Sequence, residues 1–587
     1  EKVDKQKPIA EYPRPQLQRD SYYNLNGQWQ YAFVKTKNFS VPNEFQGEII
    51  VPFSPESQLS DVNRWLMPDE TLIYKKSFIL PNSFNQGKVL INFGAVDYLC
   101  DVTLNNVSCG GHAGGYLPFS VDITNFIKEG ENTLLVSVTD PTETGIQSRG
   151  KQSLNRGGMF YTPMSGIWQT VWLESVPNNY VQQLWLTPNI DKMTLNVKIL
   201  INGKIKKCYL EFLELNIAYL CEPQERDGYL YFVGEIQILN AQLWSPENPK
   251  LYQINIQADD DYFNTYFGMR KISTMHINGY QVTALNNQPY MLIGVLDQGY
   301  WPDSLCTPLE DAMIFDITKM KELGYNMLRK HIKVEPLRWY YLCDSIGMIV
   351  QQDMVSGGDV KESILLEGIK NIVGMKIDDS DQKVMAKLGR GNIAGRRHHK
   401  QEVRDTIDLL YSQPCIVSWV LFNEAWGQFE SVQLEQICKL QDPTRLIDHA
   451  SGWHDQGVGD FKSTHRYIFP YTAPNDSRAI ALSEFGGYSL KVPGHTMIVK
   501  KAFGYIPFSN QEKLNKAFEN LHLKQIIPAI KSGLTTTVYT QLSDVEDEIN
   551  GIYTFDRKVL KFNAAKLQEI NFKMRQEFNK QYADRMK

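Results

Sequence analysis

The chain of 587 residues is 42% hydrophobic and 12% aromatic, more apolar material than one core absorbs, so three or four domains are expected. Its formal net charge of -5, with lysines and glutamates well mixed, leaves no basic stripe for nucleic acid and no polybasic segment for a membrane surface. No apolar run approaches the roughly 18 residues that mark a membrane-spanning helix, so neither nucleic acid nor membrane insertion is expected.

The amino terminus, EKVDKQKPIAEYPRP, lacks a hydrophobic core segment. A signal peptide is therefore absent or already removed, and the compartment stays open between cytoplasm and periplasm or secretion. Residues 1–176 then alternate short β-branched and aromatic runs with turn signals: GEIIVPF, LIYKKSFIL, KVLINFG, LCDVTLNN, NTLLVSVTD and IWQTVWLES. This is the pattern of an all-β sandwich. A second strand-rich block, 177–272, contains YVQQLWLTP, TLNVKILIN, KCYLEFLEL, LYFVGEIQIL and LYQINIQADD, and has the size of an immunoglobulin-like sandwich.

From 273 to 587 the rhythm changes to strand-length apolar runs alternating with helical patterns. The predicted strands are 291–297, 327–331, 348–353, 416–424, 445–450, 462–467, 479–485 and 535–544. PLEDAMIFDITKMKELG, VEPLRWYYLCDSIG and KQEVRDTIDLLYS read as helices between them, with apolar residues three and four apart. Eight such units predict a (β/α)8 TIM barrel, whose chemistry sits where the strands end. The eight cysteines are scattered without a C-x-x-C, so zinc is not expected. Arg397-His398-His399 reads as a solvated basic face ahead of a helix; neighbouring histidines cannot share one helical face, so no metal is expected there.

Two predicted strands stop on a carboxylate. Glu424 ends WVLFNE, and Glu484 ends ALSE before Gly486-Gly487, a turn that would let a ligand approach the backbone. Paired carboxylates across a barrel mouth suit glycoside hydrolysis with retention, in which one attacks the anomeric carbon and the other donates and later accepts a proton.

The chain resembles glycoside hydrolase family 2, the family of β-galactosidases, β-glucuronidases and β-mannosidases. The resemblance is carried by PRPQLQRDSYYNLNGQWQY (13–31), GGMFYTPMSGIWQTVWLE (157–174), NMLRKHIKVEPLRWYYLCDSIGMIVQQD (326–353), SWVLFNEAWGQ (418–428) and LSEFGG (482–487). It implies a jelly-roll domain, an immunoglobulin-like domain and a catalytic TIM barrel. It also implies Glu424 as acid/base, Asn423 as the neighbour bonding the sugar 2-hydroxyl, Glu484 as nucleophile and Tyr467 as a donor to that nucleophile. Arg329 and His331 fall where the family places an arginine near the nucleophile and a histidine near the sugar; a structural ion-pair partner and a buried imidazole are their plainer readings. Asp297, Asp353, Trp453, His465 and Gln541 lie at or just past strand ends and are further subsite candidates.

Departures refine the expectation. Magnesium-dependent galactosidases of the family carry Glu-x-His-Gly after the third strand, where this chain reads QQDMVSGGD; no metal or other cofactor is expected. The family's glucuronidases grip the substrate carboxylate with Asn-x-Lys, where this chain has Glu548-Ile549-Asn550, a pairing that would repel a uronate. The expected partner is thus a carbohydrate with a terminal β-linked neutral hexose, most simply a β-galactoside. β-Glucuronidase, β-mannosidase, transglycosylase and non-catalytic carbohydrate-binding readings stay open, as does homo-oligomerisation.

Overall fold

The computed structural model describes residues 3–359 and 377–584. Its amino-terminal part pairs a six-stranded antiparallel sheet with a four-stranded one. Trp29, Tyr74, Phe93, Val136 and Leu173 fill the space between them. Strand Glu131–Thr139 shows why: Leu134, Val136 and Val138 bury against the facing sheet while Thr133, Ser137 and Thr139 stay partly exposed. The next block packs two four-stranded sheets over Ile199, Phe212, Phe232 and Ile254, with strict alternation along Cys208–Phe212.

The barrel strands are β1 (Leu292–Asp297), β2 (Met327–Lys330), β3 (Ile349–Asp353), β4 (Ile416–Val420), β5 (Leu446–Asp448), β6 (Phe461–Arg466), β7 (Ala479–Gly486) and β8 (Leu534–Thr540). They form one eight-stranded sheet in the order β5-β4-β3-β2-β1-β8-β7-β6. Between β5 and β6 no strand ladder closes the ring. Asp460 does so instead, its N–H donating to Ile447 O (2.8 Å) and its carboxylate accepting from Ile447 N (2.8 Å), and Ser463 Oγ donates to Asp448 Oδ1 (2.8 Å). A hairpin, Ile272–Ile277 with Tyr280–Leu285, covers the opposite end, where Thr283 N donates to Thr535 Oγ1 (2.9 Å).

Helices α1 (Glu310–Glu322) and α2 (Leu337–Ile346) lie within the predicted segments. Helix α3 (Ile393–Leu410) starts earlier than predicted, capped by Asn392, whose Oδ1 accepts from Ala394 N (2.8 Å) and Gly395 N (3.2 Å). Arg397-His398-His399 therefore lies inside this helix rather than ahead of it. His399 is no solvated residue: it is buried and stacks on Phe422 at 5.7 Å.

Candidate active site

The barrel mouth is organised around Arg329. Alternation along β2 turns this side chain inward and its neighbour Lys330 outward. Arg329 is fully buried, and each of its five N–H groups has an acceptor. Nε and Nη2 grip Asp353 (2.9 and 3.0 Å), Nη2 also donates to Asn423 Oδ1 (2.8 Å), and Nη1 donates to Ser483 O (3.0 Å) and Glu484 Oε1 (3.1 Å). Burial opposes its charge, but Asp353 and Glu484 more than compensate and push its pKa up. One side chain thus aligns residues from β3, β7 and the end of β4.

Glu484 reaches this position because the β7–β8 register slips between Leu482 and Phe485, a bulge that re-aims the intervening side chains. Its Oε2 accepts from the Tyr467 hydroxyl. Burial raises its pKa, but positive neighbours, His465, Arg329 and Lys151 among them, bring it down to about 2, so the carboxylate is ionised. The Tyr467 phenol, pushed up by burial and by Glu484, stays protonated.

Glu424 lies beyond the end of β4, in a turn held by Glu424 N to Ser451 O (3.0 Å) and Trp426 N to Asn423 O (2.9 Å). Glu424 and Ala425 both have left-handed backbone (φ 50° and 61°), strain that surrounding structure must hold in place and that clusters at functional sites. His465 connects the two carboxylates: Nδ1 is 2.8 Å from Glu424 Oε1, and Nε2 is 3.6 Å from Glu484 Oε1 and 3.2 Å from Ser451 Oγ. One oxygen of each carboxylate and a His465 nitrogen all lie within 4.8 Å of one another. Among the described residues this trio is also a grouping that could hold a metal ion. Its donor atoms are already engaged with each other, with Tyr467 and with Arg329, and the guanidinium repels a dication.

The remaining expected residues divide. Asp353 clamps Arg329 and accepts from His331 Nδ1 (2.9 Å). Burial, then the Lys151 charge, lowers the His331 pKa well below its ordinary value, leaving a neutral ring whose Nε2 can accept. Gln541 is buried in a relay, its Oε1 accepting from Gln298 (2.8 Å) and its Nε2 donating to Asn550 Oδ1 (2.7 Å). Trp453 lies half-buried in the segment between β5 and β6. Asp297 is not in the cleft: it faces the helix layer, where Lys330 Nζ (2.7 Å) and Gly299 N (2.9 Å) occupy its oxygens. Gly486 and Gly487 make room for rings rather than for a ligand; a Cβ there would meet Tyr539 at 2.3 Å and Tyr505 at 2.4 Å.

Several neighbours escaped the sequence. Tyr505 stacks on Tyr467 at 3.6 Å and 4°, and fixes its ring. From the amino-terminal sandwich, Phe160 meets Trp426 edge-on at 5.6 Å, and Tyr161 donates its hydroxyl to Glu548, which also accepts from Asn550 Nδ2 (3.1 Å). The side chain of half-buried Lys151 makes no hydrogen bond or ion pair with the described residues; its ammonium lies 5.7 Å from the Tyr161 ring centre. No motif signals residues so distant in the chain. Only Trp426, inside SWVLFNEAWGQ, and Phe160 and Tyr161, inside GGMFYTPMSGIWQTVWLE, lay in stretches that carry the resemblance, and none of these stretches tells that they meet.

Comparison with known proteins agrees with this architecture. Three family models match: Glycosyl hydrolase 2 galactose-binding domain-like over residues 29–166, Glycosyl hydrolases family 2 over 179–270, and Glycosyl hydrolases family 2, TIM barrel domain over 278–482. A β-galactosidase of Lactococcus lactis is 26% identical over 506 residues, 80% of this chain and 46% of that protein. A putative β-glucuronidase of Formosa agariphila is 24% identical over 67% of this chain and 36% of its own length. The chain thus spans less than half the length of these relatives. In fold it is similar to a β-galacturonidase of Eisenbergiella tayi bound to galacturonate (TM-score 0.70, 18% identity, 97% of this chain and 99% of that one). It is equally similar to a β-glucuronidase of Bifidobacterium dentium (TM-score 0.72, 18% identity, 96% and 98%). With matches to its sandwich, immunoglobulin-like and barrel segments alike, the chain belongs to glycoside hydrolase family 2.

Proposed function

We propose that the chain is a retaining, exo-acting β-glycosidase that removes a terminal β-linked hexose by double displacement. The observation that carries the reading is the pair of carboxylates with oxygens within 4.8 Å, close to the roughly 5–5.5 Å carboxyl separation of retaining enzymes and short of the gap that inverting enzymes need for water. Glu484, ionised and aimed by Arg329 and Tyr467, attacks the anomeric carbon. Glu424 protonates the departing oxygen and later takes a proton from water; its hydrogen bond to His465 gives that proton a neighbouring site. Asn423, whose oxygen is committed to Arg329, presents its NH2 group to the sugar, as the family resemblance implies for the 2-hydroxyl.

A neutral hexose, most simply β-galactose, is the first reading of the substrate. It is supported by Asn550 and Glu548, an amide and a carboxylate bonded to each other where the family's glucuronidases place a lysine. A β-uronide is the second reading, favoured by the Lys151 ammonium, which has no ion pair among the described residues and acts electrostatically on Glu484 and His331. A panel of nitrophenyl β-galactoside, β-glucuronide, β-galacturonide, β-mannoside, β-glucoside and α-arabinoside separates them. Preference for the galactoside supports the first, preference for a uronide lost in Lys151→Met supports the second, and turnover of none defeats the glycosidase reading in favour of a binding protein. Product analysis with added sugar acceptors distinguishes hydrolysis from transglycosylation.

A further inference from the structure

At the rim of the catalytic cleft an open groove of about 500 Å³ runs between the 155–158 turn of the amino-terminal sandwich and segment 500–504 of the barrel domain. Asn155, Lys500, Lys501 and Ala502 are exposed, so its walls meet solvent. Both walls lead back to the catalytic residues. The turn is closed by Gly157 N donating to Phe160 O (2.8 Å), and Phe160 meets Trp426, two residues after Glu424. Opposite it, Phe503 meets Tyr505 edge-on at 5.5 Å, and Tyr505 stacks on Tyr467, the donor to Glu484. An exo-acting enzyme holds the terminal sugar at the buried carboxylates, so a groove at the rim lies on the side of the leaving group.

The groove is positive. Arg156 pairs with Glu546 (3.3 Å). The buried Asp547 carboxylate is spent on backbone, accepting from the N–H groups of Val499, Lys500 (3.1 Å) and Lys501 (3.3 Å). Neither lysine has a carboxylate partner among the described residues: Lys500 Nζ donates to the neutral Asn155 amide, and Lys501 Nζ has no hydrogen bond or ion pair there. Three cations against two carboxylates leave an excess of positive charge, and it sits on the two exposed ammoniums. Glycine at 157 lets the Lys500 stem lie against the turn, since a Cβ there would stand 3.2 Å from Lys500 Cδ. Beside the cations, the part-exposed Trp65 ring has its centre 5.5 Å from the Arg156 guanidinium, and adds the aromatic surface common in ligand sites.

Ammonium groups without a counter-ion attract carboxylates and sulfates as point charges. We propose that this groove holds a carboxylate or sulfate carried by the leaving part of the substrate, so that the terminal sugar is removed from an acidic saccharide. The inference rests on the glycosidase reading for the side of the scissile bond it faces. It does not depend on whether the terminal sugar itself is neutral.

The test has a binding arm and a kinetic arm. The full chain is titrated calorimetrically at low ionic strength with glucose 6-sulfate, glucuronate and glucose, and compared with Lys500→Met/Lys501→Met and with Lys206→Met/Lys207→Met, an equal loss of exposed charge on the immunoglobulin-like sandwich. Expected is binding of at least one anionic sugar, tighter than glucose, that weakens about fivefold or more in the 500/501 variant alone; which anion binds tells carboxylate from sulfate. No binding of either anion at millimolar concentration, or equal titrations in wild type and the 500/501 variant, or an equal loss in the 206/207 variant, overturns the proposal. Failure of the glycosidase reading is separate: it shows as no turnover of any nitrophenyl glycoside, and the titration still decides whether the groove takes an anion. Where turnover is found, the preferred sugar is supplied β-linked to glucose 6-sulfate, glucuronate or glucose. The kcat/KM ratio of anionic to neutral substrate should be about fivefold or more in wild type and fall toward one in the 500/501 variant; equal ratios in the two chains overturn the leaving-group placement.

Discussion

Replacing Tyr467 with Phe removes one hydroxyl from the site and nothing else. The ring is held by its stack on Tyr505 at 3.6 Å, so the phenylalanine stays in place and packing is preserved. What is lost is the hydroxyl's hydrogen bond to Glu484. Arg329 (3.1 Å) and His465 (3.6 Å) remain on the other oxygen, so the carboxylate stays ionised but loses one of the contacts that aim it. A hydrogen bond to a charged group contributes about 1.5–3 kcal/mol. At about 1.4 kcal/mol per decade, the covalent steps should slow roughly tenfold to a hundredfold. The assay is kcat and kcat/KM on an activated aryl glycoside, with the melting temperature measured on the same preparation. Normal turnover with a clearly lowered melting temperature would refute the reasoning and make Tyr467 a core residue.

Glu424→Ala should spare aryl glycosides with good leaving groups more than natural substrates, because such groups need little protonation. Added azide should restore its rate and give a β-glycosyl azide; the same product from Glu484→Ala would exchange the two roles. EDTA should leave the rate unchanged, since the donor atoms that could hold a metal are engaged by His465, Tyr467 and Arg329; loss of activity restored by magnesium would contradict this. Glu484 has a folded pKa of about 2, below its ordinary 4.5. Its ionised form therefore stabilises the fold fully above about pH 4.5, and that contribution fades as pH falls toward 2. The rate should accordingly show no acid limb from Glu484 between pH 4 and 7, while Lys151→Met, which deletes one of the cations lowering that pKa, should move the limb upward. A pH–rate profile identical in wild type and variant would remove Lys151 from the electrostatics of the site.

Much of the barrel was legible because parallel strands buried on both faces read as unbroken apolar runs, and Glu424 and Glu484 stood out as carboxylates ending such runs. The sixth strand was visible despite its polar composition, FKSTHR, because its neighbours required it. Strand phase was harder to read. Asp297 and Arg329 both sit at strand ends, yet Asp297 pairs in register with outward-facing Lys330, and only the sheet register tells inward from outward. The start of α3 differs from the expectation because Arg397-His398-His399 reads as a solvated basic face ahead of a helix, although Gly391-Asn392 is a capping signal. Tyr505 and Lys151 lie outside every stretch that carries the resemblance, and the roles of Tyr161 and Lys151 exist only once the amino-terminal sandwich is docked on the barrel.

The central claim is that Glu484 forms a glycosyl-enzyme while Glu424 handles the proton. Its most direct measurement is mass spectrometry of the chain after incubation with the 2-deoxy-2-fluoro glycoside of whichever sugar the panel identifies, followed by peptide mapping. One fluorosugar per chain on the peptide bearing Glu484 is the predicted result, with turnover lost in proportion to labelling. A label on Glu424, or hydrolysis of the reagent without any covalent adduct and with inverted product, would contradict it.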